Sequence, residues 1–292
     1  RASRAMNQER LHLTVGPIRI TVVKPLQQIR IVIDDSDQEL QADATFTARH
    51  APIEEPRFIR RQGPRMMMDY TRLTQNGSWS GSLTVAGKRI ELSARTHLGT
   101  RDRSWGIRSI GASESQPPAG SATPQFWWLW IPLNFPDFAS FFHTNDDAEG
   151  IPWNRRGVLD RIGTSAEHYR ADQYELNYHP GSRRIASVAI DVRPGCSLVV
   201  TPRSQLFYMS GLGYLHPTWG HGMDHGEYEI ARDQITLDPA PQIGPTTIHI
   251  QALADAVLHI DGEQQQGVGV VEQLFLGPHS TTGLSGLLDG KK

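Results

Sequence analysis

The chain is predicted to be all-β, built from antiparallel strands closed into barrels or packed as sandwiches. Three observations predict this. Apolar and polar residues alternate with period two through most of the sequence. Turn-forming residues interrupt the alternation about every ten residues, as in small-stranded β folds. No long window carries the apolar period of a helix.

The strands follow in order. Ile18, Ile20 and Val22 alternate with Arg19, Thr21 and Val23, and Ile29, Ile31 and Ile33 with Arg30 and Val32. Ala44, Phe46 and Ala48 alternate with Asp43, Thr45, Thr47 and Arg49. Trp79, Gly81, Leu83 and Val85 alternate with Ser80, Ser82 and Thr84. The run Phe126-Trp127-Trp128-Leu129-Trp130-Ile131 is apolar throughout and ends at Pro132, so it reads as a strand buried on both faces. Alternation returns at Val188–Val192, Leu206–Leu212, Thr247–Ile250 and Val268–Leu276. Turns are expected at Asp34–Asp37, Gln75-Asn76-Gly77, Ala86-Gly87, His179–Ser182 and Asp261-Gly262. The stretch Gly111–Pro124, rich in Ser, Pro, Gly and Ala, is the candidate boundary, giving domains over 1–118 and 119–292. About six strands are expected before it and eight or more after, from turn spacing. Asp146–Arg156 reads as an inserted loop, and the tail Gly277–Lys292 as a frayed end with at most one helical turn.

Composition narrows the function classes. The 292 residues carry a net charge of −2 with Lys and Arg spread along the chain, which argues against a nucleic-acid partner. No run is long and apolar enough for a transmembrane helix, so no integral membrane segment is expected, and no signal peptide is visible. The single cysteine, Cys196, excludes an intramolecular disulfide and fits a reducing, cytoplasmic setting and a small buried thiol. The chain starts at Arg1 rather than Met, so upstream residues are expected to be missing. The G-x-S-x-G elbow, the dinucleotide glycine loop, the P-loop and H-E-x-x-H are all absent.

Two segments concentrate Trp, Gly and ionisable side chains: Gly99–Arg108 and Gly213–Glu227. In the first, Asp102 lies among Arg101, Arg103 and Arg108, which favours a depressed pKa and an ion-pair role, with Trp105 in the core or at a cavity mouth. In the second, His216, His221, Asp224 and His225 are compatible with a proton-handling pocket, a hydrogen-bonded turn or a metal set. Their spacing is loose for zinc, so no tightly bound metal is expected. If the segment is a strand, His221 and His225 share a face with Met223 and Asp224 points the other way. Tyr214 and Trp219 can line the same pocket. Met66–Tyr70 offers soft apolar surface at Met68, a phenol at Tyr70, and in Asp69 an acid whose pKa an apolar setting would raise. Glu54-Glu55-Pro56 reads as a solvated turn.

Four motifs in the first half carry a family resemblance: Glu55-Pro56-Arg57-Phe58, Met68-Asp69-Tyr70-Thr71-Arg72, Gly77-Ser78-Trp79-Ser80-Gly81 and Gly99–Gly106. In the second half, Gly211-Leu212-Gly213-Tyr214 and His216–Gly222 extend it. In these the chain resembles bacterial proteins related to hydroxyneurosporene synthase, the carotenoid 1,2-hydratase. The resemblance implies two lipocalin-like β-barrels side by side, the first incomplete if its opening strands are absent. It implies cofactor-free addition of water to an isoprenoid double bond, or pericyclic cyclisation as in fungal relatives of the same architecture. Its Asp-x-x-Trp-Gly element maps onto Asp102 and Trp105.

Two functions are therefore carried forward. One is a cofactor-free hydratase or lyase on an apolar isoprenoid, terpenoid or polycyclic substrate. Its catalytic candidates are His216, His221, Asp224 and Asp102, and its binding candidates Trp105, Tyr214, Trp219, Asp69, Tyr70 and Met68. The other is a non-catalytic carrier of a similar ligand. Either would have a small apolar partner and could assemble as a homodimer. An acid facing the cavity beside a histidine favours the enzyme, because a carrier gains nothing from burying one.

Overall fold

The alternating segments are extended in the computed structural model, which describes residues 1–5, 9, 11–35, 37, 39–108, 115, 124–164, 166–209, 214, 216–237, 244 and 246–291. These residues form twenty strands, with a 3-10 turn at Ser280–Thr282. Most lie in two antiparallel sheets, each curled as a half-barrel. No helix among the described residues is long and apolar enough to cross a membrane. The chain divides into two units.

The first unit comprises Arg1–Pro52, Gln75–Arg101 and Met223–Thr236. Its main sheet is a meander of β2 (Leu13–Val15), β3 (Ile18–Lys24), β4 (Gln28–Asp35), β5 (Leu40–Ala48), the later part of β8 (Arg65–Val85) and β9 (Lys88–Leu92). Separately, β1 (Ala2–Arg4) pairs with β18 (Tyr228–Ile230). Register puts Phe46 opposite Trp79, and the rings meet edge to face at 5.4 Å. Ala44 and Phe46 are buried, but the row expected from Ile18, Ile20 and Val22 is only half-buried at its start and 39% exposed at Val22.

The second unit comprises Ile53–Thr74, Asp102–Gly222 and Leu237–Lys292. Its nine-stranded sheet runs β14 (Ala166–Tyr169), β13 (Pro152–Arg161), β12 (Phe138–Asp146), β11 (Phe126–Asn134), β20 (Glu263–Leu276), β19 (His249–Ile260), β17 (Cys196–Tyr208), β16 (Ile185–Arg193), β15 (Tyr174–Tyr178). One face builds the large core from Trp127, Leu129, Ile131, Leu133, Leu198, Leu258 and their neighbours. The opposite face of β11 and β12 presents Trp128, Trp130 and Phe141 to a second core with Ile53, Phe58 and Tyr70. These last come from β6 (Ile53–Glu54), β7 (Phe58–Gln62) and the opening of β8. Burial on both faces explains why β11 is apolar without alternation.

Several sequence expectations change. Among the described residues ten strands precede the boundary stretch rather than about six; β1, β2 and β6 are too short to show alternation. The boundary residues 111–114 and 116–123 lie outside the described residues, as do residues 210–213 after β17. Half of the expected loop Asp146–Arg156 is strand, since β13 starts at Pro152. The tail is tied down rather than frayed. Buried Arg183 donates to the carbonyl oxygens of Phe275, Gly277, Gly286 and Asp289, and Leu284 is buried. Trp127 also stacks on both Phe275 and His279, at 3.8 and 3.7 Å. Cys196 is buried, which pushes its thiol pKa up.

Candidate functional site

The site grows from the second core of the second unit. Strand pairing sets Ile53 opposite Thr74 and Phe58 opposite Tyr70, which brings Glu55 across from Arg72. Period two puts Met68, Tyr70, Arg72 and Thr74 on one face of β8. Glu55 Oε1 accepts from Arg72 Nε at 2.9 Å and from Thr74 Oγ1 at 2.6 Å, and Oε2 accepts from Arg72 Nη2 at 2.7 Å. Glu55 is 1% exposed, so the expected solvated turn is an interior acid beside an exposed Glu54. Burial opposes the charge of Arg72, but Glu55 more than compensates and raises its pKa. The guanidinium also lies over the rings of Trp128, Phe58 and Trp130, at 4.5, 5.1 and 5.7 Å.

The large sheet supplies a second polar group on the face that carries these tryptophans. Register places Trp130 between His143 and Glu272, and Glu272 opposite Gln251. The Glu272 carboxylate accepts from Trp128 Nε1 at 3.0 Å and Gln251 Nε2 at 2.6 Å, and pairs with His249 Nε2 at 2.8 Å. Burial would raise its pKa, but the hydrogen bond and charge of His249, the Gln251 bond and the Arg72 field outweigh it and hold the carboxyl below its usual value.

His143 is fully buried beside Phe58, with Nε2 2.9 Å from Asn154 Oδ1 and Nδ1 3.9 Å from Glu55 Oε2. The Asn154 amide nitrogen donates to the Pro56 carbonyl, so its oxygen faces His143 and assigns the imidazole proton to Nε2. Burial pushes the His143 pKa down to about 4. The ring is thus neutral in the folded chain at pH values where an unfolded histidine is charged. Its contribution to stability is complete above about pH 6.5, where the unfolded histidine is also neutral, and falls by about 3 kcal/mol in total as pH drops towards 4. His143→Gln is expected to flatten this part of the melting-temperature profile. An unchanged slope between pH 6.5 and 4 would refute this assignment.

The third group comes from β10 (Leu98–Ile107), which pairs with β8. Gly106 has φ +134°, and a Cβ there would strike the Asp69 carbonyl and Tyr70, so glycine allows the close approach. Asp102 is exposed as a residue, while protein atoms crowd its carboxyl. Among the described residues no hydrogen bond or ion pair reaches its carboxylate. Its pKa is raised, first by loss of bulk water and further by Glu55 and Glu272, against the opposing fields of Arg72 and Arg108. The depressed pKa expected from flanking arginines is thereby corrected. Arg101 is engaged with Gln75 at 2.6 and 2.9 Å, Arg103 is exposed, and the remaining arginines are outweighed. Arg108 donates to Ser104 Oγ at 3.0 Å and Tyr214 Oη at 2.9 Å, and lies 5.2 Å over the ring of Tyr70. Tyr214 in turn contacts the rings of His221 and His249 at 4.8 and 5.0 Å. Partial burial and Arg108 lower the His221 pKa.

The structure thus gathers Asp102, Tyr70, Tyr214 and His221, with Met68 packed against the same core. Tyr70 stacks on Phe58 at 4.6 Å, and burial raises its pKa. Asp69 points off the Tyr70 face into a bidentate pair with Arg57 at 2.7 and 2.9 Å, so it has an ion-pair partner in place of the expected apolar surround. Trp105 is 51% exposed. His216 Nδ1 accepts from the backbone N–H of Thr218 at 3.2 Å and of Trp219 at 2.8 Å, closing a turn. Residues 216–227 form turns and irregular backbone rather than a strand, so the alternating faces expected for His221 and His225 do not arise. Asp224 belongs to the first unit, where Oδ1 accepts from Gly226 N at 2.9 Å. No three His, Cys, Asp or Glu side chains among the described residues are placed to hold a metal.

Sequence reasoning missed Glu55, Arg72, His143, His249 and Glu272. Alternation along Met68–Thr74 signals Arg72. No local signal marks the others, because their partners are far along the chain.

A model of a family of unknown function, DUF8625, matches residues 1–285. The chain belongs to this family. No curated protein matches it. Among solved structures this DUF8625 chain is similar to kievitone hydratase from Nectria haematococca, with 12% identity and a TM-score of 0.52 over 90% of this chain and 69% of that one. It is also similar to a candidate AttH from Nitrosomonas europaea, with 12% identity and a TM-score of 0.48 over 88% and 68%. At this identity the first likeness shows the shared fold, of lipocalin-like half-barrels.

Proposed function

We propose that the second unit adds water to, or removes it from, an apolar isoprenoid, terpenoid or polycyclic substrate by cofactor-free acid–base chemistry. One observation carries the reading: Asp102, a carboxyl with a raised pKa and no ion-pair partner among the described residues, shares its surroundings with Glu55–Arg72, Glu272 and Arg108. Protonated Asp102 delivers its proton to one alkene carbon. The resulting carbocation is stabilised by the Asp102 carboxylate left behind, by Glu272 and by the tyrosine faces. Neutral His221 takes a proton from water as the oxygen bonds to the cation, and that proton returns to Asp102. The sum is alkene plus water giving a tertiary alcohol. The likeness to kievitone hydratase makes kievitone a natural first substrate to try.

The test is incubation of the purified chain with kievitone and with acyclic isoprenoid alkenes in oxygen-18 water. Gain of one labelled water is the expected mass-spectrometric result. Ligands that bind without any turnover would instead assign the unit as a carrier.

A further inference from the structure

Arg108 has an unusual set of partners for an arginine whose field reaches a nearby acid, Asp102. Its side-chain hydrogen bonds among the described residues go to two neutral oxygens, Ser104 Oγ and Tyr214 Oη, and it faces the neutral ring of Tyr70. Two of the neighbouring acids, Glu55 and Glu272, are otherwise engaged. Arg72 makes a bidentate pair with Glu55, and the Glu272 carboxylate receives three side-chain donors. A guanidinium has five N–H donors in a planar fork suited to a carboxylate or phenolate, and two partners do not exhaust it.

We propose that Arg108, with Ser104 and Tyr214, recognises an anionic oxygen on the substrate, so that the ligand is an apolar alkene bearing a carboxylate or an acidic phenol. The inference rests on the functional reading above for the location of the ligand. The assignment has a chemical consequence. An anion on Arg108 offsets the positive field that draws the proton off Asp102, so binding of the correct substrate keeps the acid protonated for the addition. Arg108 is a specificity determinant here, and Asp102 remains the proton donor.

Geranic acid and its methyl ester are suitable probes, because they share the apolar chain and differ in charge at neutral pH. Isothermal titration is expected to show the acid binding about 10-fold tighter or more, the size of a hydrogen-bonded charge. Arg108→Gln is expected to bring the two affinities close together, and Arg108→Lys to keep part of the preference. Arg89→Gln, at an exposed pair with Glu91, is a charge control expected to leave the preference intact. If Arg108→Gln fails to fold, raising the ionic strength on the wild type gives a second reading: the acid weakens and the ester does not. Equal affinities in the wild type, a preference that survives in Arg108→Gln, or no binding of either probe would overturn the proposal. Acid preference without turnover would leave it standing and remove the hydratase reading. Turnover of the ester without acid preference would do the reverse.

Discussion

Asp102→Asn is expected to lower hydration turnover by about 100-fold or more, the usual size of a general acid–base contribution. The change removes the titrating proton and keeps the shape. No hydrogen bond or ion pair among the described residues depends on the carboxylate, so the melting temperature is expected to stay close to wild type. The pH profile carries the same information. A general acid works while protonated, so activity is expected to be retained up to the raised pKa of Asp102 and to fall as pH climbs through it. A protein using Asp102 as an anion would show the opposite slope. Full activity in Asp102→Asn, measured with the substrate found by oxygen-18 labelling, would remove Asp102 from the chemistry.

Arg72→Ala is expected to destabilise the second unit by about 3–5 kcal/mol, because it leaves the Glu55 carboxylate buried without its partner. The lost packing of the guanidinium against Trp128 and Phe58 adds to the effect. Removing both charges is a different experiment. In Glu55→Gln with Arg72→Met, the unpaired charge is gone and the arginine's volume is largely kept, so much of the stability is expected to return. Urea unfolding of Glu55→Gln, Arg72→Met and the double variant measures the coupling. A single Arg72→Ala variant as stable as wild type would refute this cost.

The contrast between β11 and β8 explains how far the sequence could be read. Phe126–Ile131 is so uniformly apolar that a strand buried on both faces is the economical reading, and the structure agrees. Along β8 the alternation is legible in Trp79–Val85, whereas Met66–Tyr70 reads only as a soft apolar patch followed by an acid and a phenol, and by itself does not point on to Arg72 and Thr74. A polar residue on an inward face looks in sequence like a strand end. Its role emerges only once Glu55 is seen across from it.

What the sequence determined by itself is the all-β architecture, since period-two alternation and turn chemistry act over a few residues and need no distant partner. It also offered Asp102, Tyr214 and His221 as candidates by their local density of expensive side chains, and Tyr70 by the soft apolar patch before it. Only the tertiary structure decided the electrostatics. Asp102 has three neighbouring arginines in sequence, yet its pKa is raised by lost solvation and by the carboxylates Glu55 and Glu272, which lie 47 residues before it and 170 after it in the chain. Glu55 looked like a solvated turn and is an interior ion pair. The physical reason is the range of the forces. Backbone preference is local, whereas the pKa of a group depends on every charge and every excluded water within several ångströms, and strand pairing alone chooses those neighbours.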